Sequence, residues 1–216
     1  MRIAKRSHTC ENVIGKEFPD DAFLGEEQGE SGGRSGRRWI VDPIDGTFSF
    51  VHGVPFYGVL IGLEFNSEPQ LGVINTPALG ELIAAARGRG CRWNQKTARV
   101  STINQLDQAL LLATDFGACR HQGYGREVAE LEDRVAQRRT WGDCYGHLLV
   151  ATGRAEVMLD PIMNIWDCAA LLPILEEAGG TFTDWQGTRT IKGGNAISTN
   201  KVLFDPVMKT LRPQHN

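Results

Sequence analysis

The amino-acid sequence predicts an α/β fold in which sheets and helices are layered. Strand patterns cluster in the first half of the chain, and strands alternate with helical patterns in the second half. Hydrophobic residues make up 41% of the 216 residues, which is enough for a substantial core. Chains with this order of elements are typical of layered sheets and helices in one assembly.

The first half predicts an antiparallel meander that follows two short apolar strands. Residues 56–65 are rich in β-branched and aromatic side chains, and clusters of Gly, Pro and Asn mark the turns. The strands are predicted at 23–25, 39–41, 56–65, 71–75 and 81–86, with turns at 66–70 and 76–80. A Gly/Ser loop at 29–36 precedes the second strand, and no regular element is predicted for residues 1–17.

Helical spacing appears in the second half. Val128, Leu131 and Val135 recur at the period of an amphipathic helix, and Gly179 is placed to end a helix in the left-handed conformation. Helices are predicted at 125–138, 144–152, 166–178 and 202–211, and strands at 109–114, 156–159, 181–185 and 195–199.

Composition excludes several classes of protein. The net charge of −3 argues against a nucleic-acid binder and against a polybasic membrane-surface protein. Five cysteines without a C-x-x-C pair favour reduced thiols in the cytoplasm. With neither a signal peptide nor an apolar run of about 20 residues, we expect a soluble cytoplasmic protein that does not cross a membrane.

The densest chemical signal is Asp42-Pro43-Ile44-Asp45-Gly46-Thr47. Proline blocks a helix at the preceding residue, so the turn can aim both carboxylates and the Ile44 carbonyl to one side. Mg²⁺ prefers such oxygen ligands. A helix opening at Thr47 would add free N–H groups that bind phosphate. The alternative interpretation of D-x-x-D-G by itself is an ordinary turn rich in aspartate.

Other acidic residues extend this pattern, and each has a structural alternative. Glu26, which follows the apolar strand at 23–25, could belong to a solvated acidic loop. Asp167 could serve as a first-turn acid of its helix. Asp160, at the end of a strand before Pro161, could be a turn former.

Taken together, these segments resemble the inositol monophosphatase superfamily. The matching stretches are Gly25-Glu26-Glu27, Trp39 through Thr47, Trp166-Asp167, and Glu177-Ala178-Gly179-Gly180. Within the superfamily, Trp141-Gly142-Asp143-Cys144-Tyr145-Gly146-His147 and the stretch 150–160 look most like the histidinol-phosphate phosphatase branch. The resemblance implies an αβαβα sandwich of the inositol monophosphatase and fructose-1,6-bisphosphatase type, and a homodimer.

The resemblance also implies roles for individual residues. Two Mg²⁺ ions, or three, would be bound. Asp143 and Asp160 would contact the alcohol part of a small-molecule phosphate monoester. Gly46 and Thr47 would bind phosphate, Thr47 also standing near the attacking water. The first ion would be bound by Glu26, Asp42 and the Ile44 carbonyl, and the second by Asp42, Asp45 and Asp167. Together with Thr47, the carboxylates among these ligands would form the catalytic set, which is Glu26, Asp42, Asp45, Thr47 and Asp167.

A mechanism follows from charge. A phosphate monoester dianion repels hydroxide, and cations offset that repulsion and acidify water. We therefore predict direct in-line attack by metal-bound water, without a phospho-enzyme. Histidinol phosphate carries groups that can be cationic, which carboxylates at Asp143 and Asp160 would pair with. Asp143 has an equally weighted alternative as the N-cap of the helix at 144–152.

The chain departs from the family pattern at its start. Members begin with about two more helices, including a Thr-x-x-Asp-like segment whose aspartate works with the threonine of the D-G-T motif. Residues 1–17 offer no such segment. We expect a single phosphatase domain over 1–216 that lacks the first helices: an atypical 1–17, a metal- and phosphate-binding half at 18–108, and a second α/β half at 109–216. Loss of those helices would expose apolar surface on the sheet they cover.

Three functions remain open at this point. The first is a Mg²⁺-dependent histidinol-phosphate phosphatase. The second is a relative acting on inositol 1-phosphate or a 3′-phosphoadenosine nucleotide. The third is a shortened, catalytically impaired homologue that still binds metal.

Overall fold

The computed structural model describes residues 2–27 and 29–212, with side chains from residue 9 onward. The strands are β1 Ala22–Gly25, β2 Gly29–Ser31, β3 Arg37–Asp45, β4 Gly58–Phe65, β5 Glu68–Thr76, β6 Glu81–Ala86, β7 Cys91–Trp93, β8 Lys96–Thr97, β9 Leu110–Ala113, β10 Gln137–Arg139, β11 Val157–Asp160, β12 Gly180–Thr183 and β13 Ala196–Asn200. The helices are α1 Arg2–Glu17, α2 Thr47–Val51, α3 Phe116–Cys119, α4 Gly125–Arg134, α5 Asp143–Ala151, α6 Ile165–Cys168, α7 Leu171–Glu177 and α8 Phe204–Leu211.

Two sheets organise the molecule. The first has eight strands in the order β2-β1-β3-β4-β5-β6-β7-β8, and the second has five in the order β10-β9-β11-β13-β12. Strands β3 to β6 pair antiparallel in sequence order, and the turn signals predicted this meander for β4 to β6. Strand β1 instead lies parallel to β3, and β9 lies parallel to both β10 and β11. The carboxyl ends of β1 and β3 therefore meet at one edge of the first sheet.

The helices lie in three layers around the sheets. Helix α1 contacts β3, whereas α5 and α7 contact strands of both sheets and so lie between them. Helices α4 and α8 contact each other, and their apolar side chains share a buried cluster with β9, β11 and β13. This arrangement is the expected αβαβα sandwich. No helix in the described part of the chain is long and apolar enough to cross a bilayer.

The single helix predicted at 166–178 is wrong in detail, because the structure has two helices there. Residues Ala169 and Ala170 separate α6 from α7. Pro173 lacks the N–H that would bond to the Ala169 carbonyl, so the helical ladder is interrupted at this turn. The freed backbone packs against the first sheet, where a Cβ added at Gly72 would lie 2.0 Å from the Ala170 carbonyl oxygen.

The helix predicted at 125–138 ends early, at Arg134. Val135 has an extended backbone (φ −98°, ψ 155°), and Gln137–Arg139 forms the edge strand β10 beside β9. Val128, Leu131 and Val135 do share one buried cluster, but residues 137–139 take their backbone partners from β9 in place of a continued helix. Tertiary pairing thus overrides local periodicity here.

The N-terminal segment, for which no element was predicted, forms helix α1. It lies beside β3, and the ring of Phe18, just after the helix, packs 5.4 Å from that of Trp39. Farther along the sheet, Ile61, Leu63 and Val73 are half-buried, while their neighbours on the opposite face are buried.

Candidate active site

The Asp42-Pro43-Ile44-Asp45 segment is a β-bulge inside β3, and not a turn after a strand as predicted. Asp42 pairs with Leu60 and Asp45 with Gly58, so three steps on β3 match two on β4. In a regular strand, residues three apart point to opposite faces. The extra residue brings both carboxylates to the same side, and Pro43 is tolerated because a bulge releases a ladder hydrogen bond.

Three carboxylates converge at this bulge. One oxygen each from Asp42, Asp45 and Asp167 lies within 4.8 Å of the others, so the group could hold a metal ion. Asp167 belongs to α6, where its Oδ2 also accepts the Asn164 N–H at 2.6 Å in a capping box. The two interpretations of Asp167, helix cap and site residue, therefore describe one orientation of the same side chain.

Burial and mutual repulsion make this cluster electrostatically costly without a cation. Burial first, then repulsion from Asp45, Glu26 and Asp167, raise the pKa of Asp42 to about 10. Burial, with repulsion from Asp143 and Asp167, raises the pKa of Asp45 well above its usual value. A divalent cation among these oxygens would remove both penalties.

Glu26 lies at the edge of the three-carboxylate cluster. Because Gly25 pairs with Val41 in the parallel ladder, Glu26 follows it next to Asp42. Its side chain is exposed, and partial burial together with repulsion from Asp167 and Glu27 raises its pKa. Glu26 is thus near the cluster but outside the group of oxygens within 4.8 Å.

The phosphate-binding residues proposed from sequence follow the bulge directly. Gly46 has φ 77°, and Thr47 begins helix α2, as predicted. The Thr47 hydroxyl donates to the Ile44 carbonyl at 3.0 Å. A carbonyl oxygen has two lone pairs, so the Ile44 carbonyl retains one for another partner.

Asp143 faces the same region from the start of α5. Its N-cap alternative is wrong, because the N-cap of α5 is Gly142 and no side chain caps the helix. The Ser49 hydroxyl donates a hydrogen bond to Asp143 Oδ2 at 3.4 Å. Cys144, the residue after Asp143, donates its N–H to Asp45 Oδ2 at 2.6 Å. Burial and repulsion from Asp160 raise the pKa of Asp143 to about 6.

Asp160 lies behind Asp143 and is 6% exposed. It is the last residue of β11, and its Oδ2 accepts the Thr114 hydroxyl at 2.8 Å. The Thr114 oxygen in turn accepts the Asp143 N–H at 3.0 Å. The Nε2 of the buried His147 lies 3.9 Å from Asp160 Oδ2. The structure thus links Asp160 to Asp143 through Thr114.

Sequence reasoning missed Thr114 and the cleft beside it. A signal existed, since Thr114 ends the strand predicted at 109–114, and ligands of α/β proteins bind at the carboxyl ends of strands. The cleft has a volume of about 680 Å³. Its lining includes Phe48, Phe56, Thr114, Asp115, Trp141 and Asp143.

We expect Thr114→Val to lower the free energy of unfolding by about 1–3 kcal/mol and to reduce kcat/KM, because it removes a donor from the buried Asp160 and an acceptor from the Asp143 N–H. Thr114→Ser keeps the hydroxyl and should stay near wild type. Urea unfolding and steady-state kinetics measure both effects. Equal behaviour of the two variants would show that the hydroxyl does not support the site.

Comparisons with known proteins agree with this fold. A profile of the inositol monophosphatase family matches residues 6–215. The histidinol-phosphatase of Chlorobaculum parvum is 48% identical over 191 residues, covering 88% of this chain and 74% of that protein. The histidinol-phosphatase of Mycobacterium tuberculosis is 39% identical over 204 residues, covering 92% and 78%. The crystal structure of extragenic suppressor protein SuhB from Bartonella henselae matches with a TM-score of 0.91 at 31% identity, covering 99% of this chain and 84% of that chain. The chain therefore belongs to the inositol monophosphatase family and is a phosphatase.

Proposed function

We propose that this protein is a Mg²⁺-dependent phosphate monoester hydrolase whose substrate is histidinol phosphate, which it converts to histidinol and phosphate. The observation that carries the proposal is the cluster of Asp42, Asp45 and Asp167 beside a cleft lined by carboxylates and aromatic rings. The name of the relatives at 48% and 39% identity supports the same substrate.

The donor set suits Mg²⁺. All three clustered ligands are carboxylates, the oxygen donors that this hard cation prefers. Glu26 and the second lone pair of the Ile44 carbonyl could complete the coordination of two ions, or of three. When bound, such cations neutralise phosphate charge and acidify water for attack on phosphorus.

The protein's own groups would hold the phosphate end of the substrate. Thr47 and its neighbours open α2, so their N–H groups point away from the helix toward the bulge. We propose that the N–H groups of Gly46 and Thr47 bind phosphate oxygens. The Thr47 hydroxyl donates its hydrogen to the Ile44 carbonyl. The Thr47 hydroxyl oxygen is therefore free to accept a hydrogen bond from the attacking water.

The alcohol end of the substrate would lie in the cleft beside Asp143. An ammonium or imidazolium group pairs strongly with a carboxylate, since the hydrogen bond is charge-assisted. Asp143 is held for this role by Ser49 and by Thr114. Asp160, proposed from sequence as a second contact, would act chiefly by holding Thr114.

We further propose that residues 1–216 function as one phosphatase domain in a cytoplasmic homodimer. One buried cluster unites Ile40 and Leu60 of the first sheet with Leu148 of α5 and Phe182 of the second sheet, which favours a single unit over two separable halves at 18–108 and 109–216. Light scattering after size exclusion tests the dimer.

A substrate panel tests the proposed activity. Phosphate release from histidinol phosphate, inositol 1-phosphate and a 3′-phosphoadenosine nucleotide is measured with Mg²⁺ and again after EDTA. We expect the highest kcat/KM with histidinol phosphate and loss of turnover in EDTA that Mg²⁺ restores. A clear preference for either other substrate would overturn the substrate proposal. Calorimetric Mg²⁺ binding without turnover on any of them would favour an impaired homologue.

A further inference from the structure

The cleft beside Asp143 has an acidic and aromatic character. Asp115 and Asp143 are its two carboxylates. Among the described residues that line it, the one basic side chain is His52, whose Nδ1 lies 2.8 Å from the Phe48 carbonyl oxygen. The rings of Phe48 and Trp141 belong to its wall and are 76% and 39% exposed. Carboxylates together with open aromatic faces suit a cationic guest, because both attract positive charge.

Asp115 is held in the wall of this cleft by its backbone. It directly follows Thr114, whose hydroxyl oxygen accepts the Asp143 N–H. A Cβ added at Gly142 would lie 2.4 Å from the Thr114 Cα, so the segments carrying the two carboxylates pack closely. The two acids are thus attached to adjoining backbone in the same wall.

Among the described residues, one donates a hydrogen bond to the Asp115 carboxylate. Its Oδ1 accepts the Gly117 N–H at 2.7 Å and caps the short helix α3. Among the described residues, none donates a hydrogen bond to Oδ2. The cap therefore fixes the orientation of the carboxylate, while the second oxygen remains available to a ligand in the cleft.

We infer that Asp115 is a specificity-determining residue, which accepts a hydrogen bond from a cationic nitrogen of the substrate's alcohol part while Asp143 takes a second nitrogen. This inference rests on the proposed function, since it needs an alcohol with two nitrogen groups. Such an alcohol gains a charge-assisted bond at Asp115. A polyol such as inositol presents neutral hydroxyls and gains less.

Asp115→Asn tests the inference, since asparagine keeps an oxygen for the Gly117 N–H but loses the charge. We expect its KM for histidinol phosphate to rise about 10- to 100-fold, the loss typical of one hydrogen bond to a charged group. Its KM for glycerol 2-phosphate, whose alcohol is uncharged, should stay at the wild-type value, as should kcat. Calorimetry with histidinol, without phosphate or metal, should show a matching loss of affinity.

Controls separate this role from helix capping. Asp133→Asn removes an exposed charge on α4 and should leave the KM for both substrates unchanged. Asp115→Ala removes the cap as well, so only this variant should lower the Tm. Equal KM changes for both substrates, or unchanged histidinol affinity, would overturn the inference and leave the proposed function intact. A wild-type protein that neither cleaves histidinol phosphate nor binds histidinol would overturn both.

Discussion

Asp45→Asn is expected to lower phosphate release about 100-fold or more while the protein stays folded. Asp45 supplies one of three carboxylate oxygens within 4.8 Å that would hold a cation, and weaker stabilisation of transition-state charge commonly costs about two to three orders of magnitude. Asparagine keeps an oxygen that can accept the Cys144 N–H, so the local hydrogen bond should survive. Steady-state phosphate release with Mg²⁺ measures the loss.

The same variant should separate stability from function. Burial and repulsion raise the pKa of Asp45, so its ionised form costs free energy in the metal-free fold. The metal-free Tm of Asp45→Asn should therefore equal or exceed that of the wild type. Mg²⁺ should raise the Tm of the wild type because it binds the native state. The rise in the Tm of Asp45→Asn should be much smaller.

Asp133→Asn is again the matched control, because it removes a carboxylate from the surface of α4. Its activity and its Mg²⁺-induced shift in Tm should match those of the wild type. Wild-type turnover together with a wild-type Mg²⁺ response in Asp45→Asn would contradict the placement of Asp45 in the metal site.

Gly46→Ala is expected to destabilise the protein by about 1–3 kcal/mol and to abolish most activity. Gly46 has φ 77°, and an added Cβ would lie 2.7 Å from the Phe56 carbonyl oxygen and 3.1 Å from Asp143 Oδ2. The side chain would meet rigid backbone on one side and a proposed substrate carboxylate on the other. Denaturant unfolding and kcat/KM report the two consequences.

Gly53, just beyond the other end of α2, provides the control. Its φ is 71°, but a Cβ there would meet nothing within 4 Å. Gly53→Ala therefore carries the same backbone cost without the collision, and its activity should remain near wild type. If the two alanine variants lost equal stability and equal activity, the collision at Gly46 would have no role.

Local patterns predicted much of the fold because each reports a short-range constraint. The meander from β4 to β6 was predicted from β-branched and aromatic side chains and from turn residues, which act within a few positions. The errors arose where distant segments compete. Gln137–Arg139 leaves its helix for an edge of the second sheet, and the helix expected at 166–178 breaks at a turn that packs on Gly72.

The site shows the same division. The types and order of its acids could be identified from the motifs around Asp42, Asp45 and Asp167, because their chemistry is carried by residue identity. The bulge that turns two of these carboxylates to one side could not be identified from the sequence, because it depends on the pairing of β3 with β4. Thr114 went unnoticed for a similar reason, as its partners lie 29 and 46 residues away in the chain.

By itself, then, the sequence determined the fold class, the family resemblance and the candidate metal chemistry, all of which follow from short patterns and the identity of a few residues. Only the tertiary structure decided which oxygens converge, which carboxylate is buried behind another, and what lines the cleft. The physical reason is that convergence is set by strand register and by packing between layers. These are long-range contacts that no local segment encodes.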